Sequence, residues 1–530
     1  MKRCPKCAKE YADETLNFCL DDGEWLTGGA SELPTVAMSD LEDSTQIFST
    51  AARRQFAEAA PPTRSIAVLP FAHLSNDVDN EYFCDGLAEE LLNGLSRIDG
   101  LKVAARTSAF SFKGKHVNVA EIGRTLGVST VLEGSVRKSG DRVRINATLI
   151  NAADGYHLWS DQYDREMQDV FSLQDEIRDS VVSALKAEFF GGDQTPVPDD
   201  DAPMDALIDE LRNYSRDLES YQLFLRGRFF LNKFNAEDAF TAADLFSKAI
   251  EIDPGSAQAY AGLADANIML TEMGPVPSHE AMPKAREAAL KALQLDDSLA
   301  EAHTALGMVQ QDYDYDFASA EREFKRAIEL SPNSPYPRQA YGILLTELER
   351  HDEAEEQFAK VFEVDPLSVV ANWIYSFCLF LARRYDDALD RANRTLELDP
   401  NFGVAYLTVA FAFQMKGEYE QSVEAYARCS EVMGSPENAV FARKTIETGW
   451  LSFLQAMASR ERPVMTFSSY IVAVFAATLG DKDRAFEELN ASYEKRESHI
   501  VMMKVDPRFD PVRNDARFTE LLSKIRFLGA

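Results

Sequence analysis

One short signature recurs along the second half of the chain at nearly constant spacing. It reads Glu251-Ile-Asp-Pro254, Gln294-Leu-Asp-Asp297, Glu329-Leu-Ser-Pro332, Glu363-Val-Asp-Pro366 and Glu397-Leu-Asp-Pro400, with intervals of 43, 35, 34 and 34 residues. A period in this range means that each unit is a small supersecondary element which cannot bury its apolar face alone and must stack on its neighbours. The longer first interval is accounted for by Glu272-Met-Gly-Pro-Val-Pro-Ser278, a loop inserted between helices. Before each signature a small, a bulky and a small residue recur at i, i+4 and i+7: Ala242-Phe246-Ala249, Ala320-Phe324-Ala327 and Ala354-Phe358-Val361. That spacing places all three on one helical face, where the small residues admit a neighbouring helix and the aromatic ring fills the gap.

Period and internal positions together resemble the tetratricopeptide repeat (TPR), a helix-turn-helix unit of 34 residues. Tyr260, Leu263 and Ala264 open one first helix, and His303, Leu306 and Gly307 open the next. Further units are read at 405–432, at 435–462 in degenerate form, and at 470–496 with a turn at Gly480-Asp481. Residues 217–497 are therefore expected to form an all-α superhelical solenoid. Val505-Asp-Pro-Arg-Phe-Asp-Pro511 and a terminal helix at 515–525 are expected to cap it within 498–530. A solenoid needs such an end, because its last repeat would otherwise expose a stacking face.

In such arrays the first helices of the repeats line the hollow. Three successive first helices present Tyr336, Gln339, Ile343, Thr346, then Val370, Trp373, Phe377, Phe380, then Val404, Leu407, Phe411, Gln414. The middle set is apolar throughout. Tyr336, Trp373, Phe377, Phe380 and Phe411 are the candidate partner-binding residues, since aromatic clusters are frequent hot spots for protein partners. The alternative for the same rings is internal packing.

Residues 65–190 change character. Ser65-Ile-Ala-Val-Leu-Pro-Phe71 is a short apolar run suited to a buried strand. Leu87, Leu91, Leu92 and Leu95 form a helical stripe; strands are expected at 101–105, 130–137, 142–150 and 157–163, with helices at 119–126 and 171–189. The expected unit is a mixed sheet with helices packed on it. Ile66-Ala-Val-Leu-Pro-Phe71, Tyr82-Phe-Cys-Asp-Gly-Leu87, Lys113-Gly114, Val131-Leu-Glu-Gly-Ser-Val-Arg137 and His157-Leu-Trp159 resemble the amino-terminal domain of the periplasmic translocation protein TolB. That module also precedes TPR arrays in proteins linked to adenylate cyclases and CadC-like regulators. The resemblance implies a non-enzymatic regulatory or assembly domain. No phosphate-binding glycine loop, nucleophile elbow or His-Glu-x-x-His zinc motif occurs in the module. Asp85-Gly86 reads as a helix cap.

At the start, Cys4-Pro-Lys-Cys7 is a tight C-x2-C turn, followed by Cys19 and by Asp22 where a fourth cysteine would stand. Zinc accepts thiolate and carboxylate alike, so Cys4, Cys7, Cys19 and Asp22 are a candidate ligand set for one structural zinc. Tyr11, Phe18 and Gly23 add a resemblance to short zinc-ribbon modules; the alternative is a degenerate ribbon without metal. Residues 1–26 are assigned to this knuckle, 27–64 to a flexible linker and 191–216 to an acidic one.

The net charge of −32 has no basic section to offset it, and such a surface repels phosphate backbones. Nucleic acid is thus disfavoured as the main partner. With no apolar secretory core at the start and no uninterrupted run of about 18 apolar residues, a cytoplasmic, membrane-free protein is expected. The expected function is a non-catalytic scaffold or signalling adaptor holding a protein or peptide in the TPR groove. The alternatives are a transcription regulator that uses the ribbon, or a regulatory subunit of a cyclase or kinase system. Self-association is left open.

Overall fold

A computed structural model of the chain describes residues 64–166, 176–185, 218–458 and 468–527, apart from 74–78 and a few isolated positions, together with three short strands near the start. The chain divides into two compact units, 1–60 and 61–530. In the first, β1 (Lys2–Arg3) pairs antiparallel with β2 (Glu10–Tyr11) and β3 (Thr27–Gly28). Cys4, Cys7, Cys19 and Asp22 lie outside the described residues.

The second unit opens with a mixed sheet. Its strands are β4 (Ser65–Val68), β5 (Ala72–His73), β6 (Lys102–Val103), β7 (Thr130–Ser139), β8 (Arg142–Asn151) and β9 (His157–Glu166), in the order β6-β4-β7-β8-β9, with β5 beside β7. β4 runs parallel to β6 and β7, while β7, β8 and β9 form an antiparallel meander registered from Thr130↔Asn151 to Ser139↔Arg142. β4 is buried at every position, as a strand covered on both faces must be. The helices are α1 (Asp79–Ser96), the short α2 (Arg106–Phe110) and α3 (Val119–Leu126), the last capped by Asn118 and ended by left-handed Gly127.

The structure corrects one local reading. Asp85 and Gly86 lie inside α1, not at its cap. Asp85 is instead bonded to Lys113 at 2.7 Å. At Gly86 a Cβ would fall 2.7 Å from both terminal methyls of Leu225, so the bare backbone admits the first helix of the array.

Eight antiparallel helix pairs follow among the described residues: α4 (Leu218–Leu231) with α5 (Ala236–Ile252), α6 (Ala257–Glu272) with α7 (Ser278–Leu295), α8 (Ala300–Val309) with α9 (Phe317–Leu330), and α10 (Pro335–Glu347) with α11 (His351–Val364). Then come α12 (Val369–Leu381) with α13 (Tyr385–Leu398), α14 (Gly403–Lys416) with α15 (Tyr419–Val432), α16 (Pro436–Ile446) with α17 (Trp450–Ala458), and α18 (Ser469–Thr478) with α19 (Lys482–Glu494). This is a TPR-like helical solenoid. Two 3-10 turns, Ser498–Lys504 and Pro507–Phe509, lead to α20 (Ala516–Lys524).

A glycine against a phenylalanine sets the close approach within the early pairs. A Cβ on Gly307 would lie 2.6 Å from the Phe324 ring, one on Gly342 would lie 2.7 Å from Phe358, and those on Gly227 and Gly262 would lie 2.6 Å from Phe246. All three phenylalanines are fully buried.

The α/β module docks along the turns of the array. Asn333 donates to the carbonyls of Ser96 and Leu101 at 3.0 and 2.9 Å. Asp365, one of the recurring signature aspartates, is buried and accepts from Thr107 Oγ1 at 2.5 Å and from Ser108 N and Oγ at 3.1 and 2.7 Å. Buried Glu89 is held by Arg106 of the module at 2.9 Å and by Arg228 of the array at 2.5 Å.

Gly307→Ala is expected to destabilise the protein by about 1–3 kcal/mol through overpacking, although alanine is by itself the better helix former. In a Phe324→Leu background the same change should be neutral or stabilising. Chemical unfolding of the four members of this cycle measures the difference.

Candidate interaction surface in the hollow of the array

The superhelix winds tightly enough for distant repeats to meet across its hollow. Phe234, on the turn of the first pair, touches Trp373 on the first helix of the fifth, with ring centroids 6.5 Å apart. On its other side Trp373 meets Phe402 at 5.7 Å. Tyr336 is half-buried, and its hydroxyl donates to Asp265 Oδ1 at 3.2 Å. Tyr336 and Trp373 thus keep part of their surface toward solvent.

Phe377, Phe380 and Phe411 have a different environment. They stack on one another with centroids 5.7–6.5 Å apart, and Phe380 and Phe411 are buried. What covers Phe380 and Phe411 is the chain's own C-terminal segment. The Arg508 guanidinium sits 4.0 Å from the Phe411 centroid and 5.4 Å from that of Phe380. Its charge is balanced by Asp506 at 2.6 Å, and Asp506 in turn accepts from the Tyr470 hydroxyl at 2.9 Å. The Arg508–Asp506 pair is almost completely withdrawn from solvent. Of the five candidate residues, Tyr336, Trp373 and Phe377 are thus half-buried, while Phe380 and Phe411 are buried beneath a cation–π lid.

The segment that carries Arg508 is more than an end cap. Asp510 makes two bonds of 2.6 Å with Arg383, and Lys504 pairs with Glu349 at 2.9 Å. Phe527 stacks on Phe317 at 4.5 Å, and Arg496 donates to the Tyr313 carbonyl. Arg383 and Glu349 both occupy left-handed backbone at helix-pair turns, with φ of 64° and 63°, where glycine is the default. Their side chains, which glycine lacks, hold the returning segment.

The hollow also carries a chain of carboxylates that residue type alone did not single out. Glu301, Asp265, Glu272, Asp312 and Glu347 are electrostatic neighbours in succession along α6, α8 and α10. Among the described residues the cation that acts on the first of them is Arg228, already bonded to Glu89. Burial pushes the Asp265 carboxyl up to about 7. Asp312 belongs to a turn of π-helix, Gln310–Asp314, a distortion that often accompanies a functional site. Glu347 is fully buried; its Oε2 accepts from Gln311 Nε2 at 2.9 Å, and its Oε1 has no hydrogen-bond partner among the described residues. A signal for these residues was available: Ile268-Met-Leu-Thr-Glu272 and Ile343-Leu-Leu-Thr-Glu347 end two first helices alike.

No group of three or more His, Cys, Asp or Glu side chains among the described residues is placed to hold a metal. No helix among them is long and apolar enough to cross a membrane.

Residues 62–180 match the family of the HilA/YgeH-like transcriptional regulator, second domain. Over 256 residues the chain is 37% identical to a Rhizobium meliloti protein named "Putative adenylate cyclase 3", covering 47% of this chain and 40% of the relative. It is 24% identical over 286 residues to the transcriptional regulator HilA of Salmonella typhimurium, covering 53% of this chain and 47% of that one. The chain therefore spans about half the length of these curated relatives. Among solved structures it is similar to YrrB, described as a TPR protein with an unusual peptide-binding site, at 23% identity, TM-score 0.26, and coverage of 38% of this chain and 99% of YrrB. A monomeric IFIT1 mutant with Gppp-AAAA matches at 16% identity, TM-score 0.37, and coverage of 62% and 88%.

Burial raises the carboxyl groups of Asp312 and Glu347 well above the ordinary range, and repulsion from Glu272 at Asp312 and from Asp312 at Glu347 adds to it. The folded protein holds protons there that the unfolded chain releases near pH 4. Their contribution to stability is therefore complete below about pH 4 and lost as pH rises through the folded values. The groups acting on this pair are Glu272 and Gln311. Glu347→Gln should raise the unfolding midpoint relative to wild type at pH 8 and give a smaller gain at pH 4. Melting curves across that range check the sign.

Proposed function

We propose that this protein is a non-catalytic interaction scaffold or signalling adaptor in which the hollow of the TPR-like array grips a partner polypeptide. The observation that carries the reading is the half-open pair Tyr336 and Trp373, standing in a tightly wound hollow whose floor is already rigid. Phe380 and Phe411 support that floor from beneath Arg508. A side chain held in place by its neighbours loses little entropy on binding, which favours affinity for a partner. The α/β module, with its TolB-like sequence features, is the regulatory or docking element in this reading. Its buried contacts at Glu89, Asn333 and Asp365 let a change at the module reach the array.

A second reading is favoured by the names of the relatives. The module and array together form a regulatory region for a transcription regulator or a cyclase system, and the partner is then the effector. DNA binding by this chain would show as a salt-dependent mobility shift, which the scaffold reading does not require.

Affinity purification from native cells with mass spectrometry, run in parallel on wild type, Trp373→Ala and Phe380→Ala, tests the scaffold reading. Trp373→Ala should lose a specific partner while keeping its melting temperature within a few degrees. Phe380→Ala should lose about 3–5 kcal/mol of stability. Equal partner recovery by wild type and Trp373→Ala would overturn the assignment of Trp373 to binding.

In the same reading Cys4, Cys7, Cys19 and Asp22 hold one structural zinc, since three thiolates and a carboxylate suit a tetrahedral ion. Metal analysis of the purified full chain should find one zinc per molecule, lost in Cys7→Ser. A metal-free wild-type protein would remove the assignment.

A further inference from the structure

The hollow has two kinds of wall. Toward its C-terminal half the aromatic residues are covered by the chain itself, through Arg508, Asp506 and Tyr470. Toward its N-terminal half the wall is made of carboxylates from two successive first helices: Asp265 and Glu272 on α6, Glu301 on α8, and Asp312 on the π-turn that continues it. Glu272 is exposed, and Asp265 and Glu301 are half-buried, so this part is open to solvent. Behind it stands the fully buried Glu347, next to Asp312 and with one carboxyl oxygen unpartnered.

Glu301, Asp265 and Glu272 share this concavity and repel one another as they ionise, and low-dielectric walls strengthen the field they make. A folded chain ordinarily interleaves cations into such a set. Here the guanidinium that reaches it, Arg228, is committed to Glu89 at 2.5 Å, and Arg106 is bonded to the same Glu89 at 2.9 Å. The groups near the acids that can meet a chain are Tyr336, bonded to Asp265 and touching Met308 at 3.2 Å, and the Phe234–Trp373–Phe402 aromatic bridge. A metal ion does not suit the arrangement, because no three ligating groups among the described residues converge on one point. A row of separated carboxyl groups spread over two repeats fits instead a ligand with separated positive charges along an extended chain.

We propose that the partner segment gripped in this hollow is basic: an extended polypeptide whose lysine or arginine side chains pair with Glu272, Glu301, Asp265 and Asp312 while an apolar neighbour rests on Trp373. This rests on the scaffold reading above and adds the chemistry of the occupant. The first cation to enter meets Glu272 and Glu301 at the rim, and a deeper one reaches Asp312 and displaces the proton that its buried carboxyl holds. Charge-assisted bonds of this kind are the stronger class of hydrogen bond, and arginine reads a carboxylate through two parallel bonds. A partner of opposite sign is excluded by the same field.

The test uses the full chain and a blocked nonapeptide alternating lysine and leucine, with a glutamate–leucine peptide of equal length as its counterpart. Binding is followed by calorimetry at fixed ionic strength. Wild type should bind the lysine peptide and not the glutamate one. Glu272→Gln, Glu301→Gln and Asp312→Asn combined should weaken binding at least tenfold. A control of equal charge change on exposed faces, Glu287→Gln, Glu356→Gln and Glu420→Gln, should stay within twofold of wild type. Circular dichroism melts confirm that both variants are folded; removing repulsion from the hollow should leave the first at least as stable as wild type. Equal weakening in both variants would mean diffuse surface attraction and overturn the proposal, as would unchanged binding by the hollow variant or no binding by wild type. If a purified cellular partner depends on Trp373 but is indifferent to the three acid substitutions, the scaffold reading stands and the basic-partner proposal falls.

Discussion

A phenylalanine ring laid on a glycine is the contact from which the array is built. Phe246, Phe324 and Phe358 each project from the second helix of a pair into the space that a missing Cβ leaves on a first helix, and Phe246 meets two such glycines, Gly227 and Gly262. Glycine within a helix costs roughly 1 kcal/mol relative to alanine. Burying a ring of this size returns more, about 1.5–3 kcal/mol by area. The exchange fixes how closely paired helices approach, and repeated from unit to unit it fixes how tightly the solenoid turns. Only a tight turn brings Phe234 of the first pair within contact of Trp373 of the fifth.

Tight winding makes a narrow hollow, and a narrow hollow is one that the end of the chain can reach. The returning segment is tied at several independent places: Arg383 to Asp510, Glu349 to Lys504, and Phe317 to Phe527. At its centre lies a buried arginine–aspartate pair whose cation rests on two rings. A buried ion pair is a weak contributor to net stability yet a costly one to break, since either partner alone would be left charged out of water. Arg508 therefore specifies where the segment must lie more than it adds to the free energy of folding. The non-glycine residues in left-handed turns fit the same logic: Arg383 and Glu349 accept backbone strain because their side chains fasten this segment.

What the amino-acid order reveals is local and periodic, and here that reaches far. The Glu-x-Asp-Pro signature, the small–bulky–small triplets and the apolar run at Ile66–Val68 each describe how a residue meets near neighbours, and helix pairs and mixed-sheet strands follow from them. Contacts between elements far apart in the chain leave no period to read. Nothing in Val505-Asp-Pro-Arg-Phe509 announces that Arg508 will cover Phe411, so an aromatic stripe of uniform appearance divides into a half-open part at Tyr336, Trp373 and Phe377 and a covered part at Phe380 and Phe411. Asp85-Gly86 was misread for a related reason: the cap chemistry of the dipeptide is local, whereas the use made of Gly86 depends on Leu225, 139 positions away.

The signature aspartate shows how a repeat feature acquires a second use. In the turns at Asp253 and Asp399 the residue is half-buried and bonds the backbone two residues on, at Gly255 and Asn401. At Asp365 the same position is buried and accepts three bonds from Thr107 and Ser108 of the α/β module, while Ala105 N donates to the Val364 carbonyl at 2.7 Å. The module meets the array here through the residues that follow β6, and Leu367 packs against the cluster that holds Ala67 and Ala104. A residue whose first task is to end a helix has become a group that joins array to module. Any movement that withdraws Asp365 would leave Ser108, itself fully buried, without its partner, at a cost of about 1–3 kcal/mol for a buried donor left unpaired. Together with Glu89–Arg228 and the two bonds of Asn333, this constrains module and array to shift together.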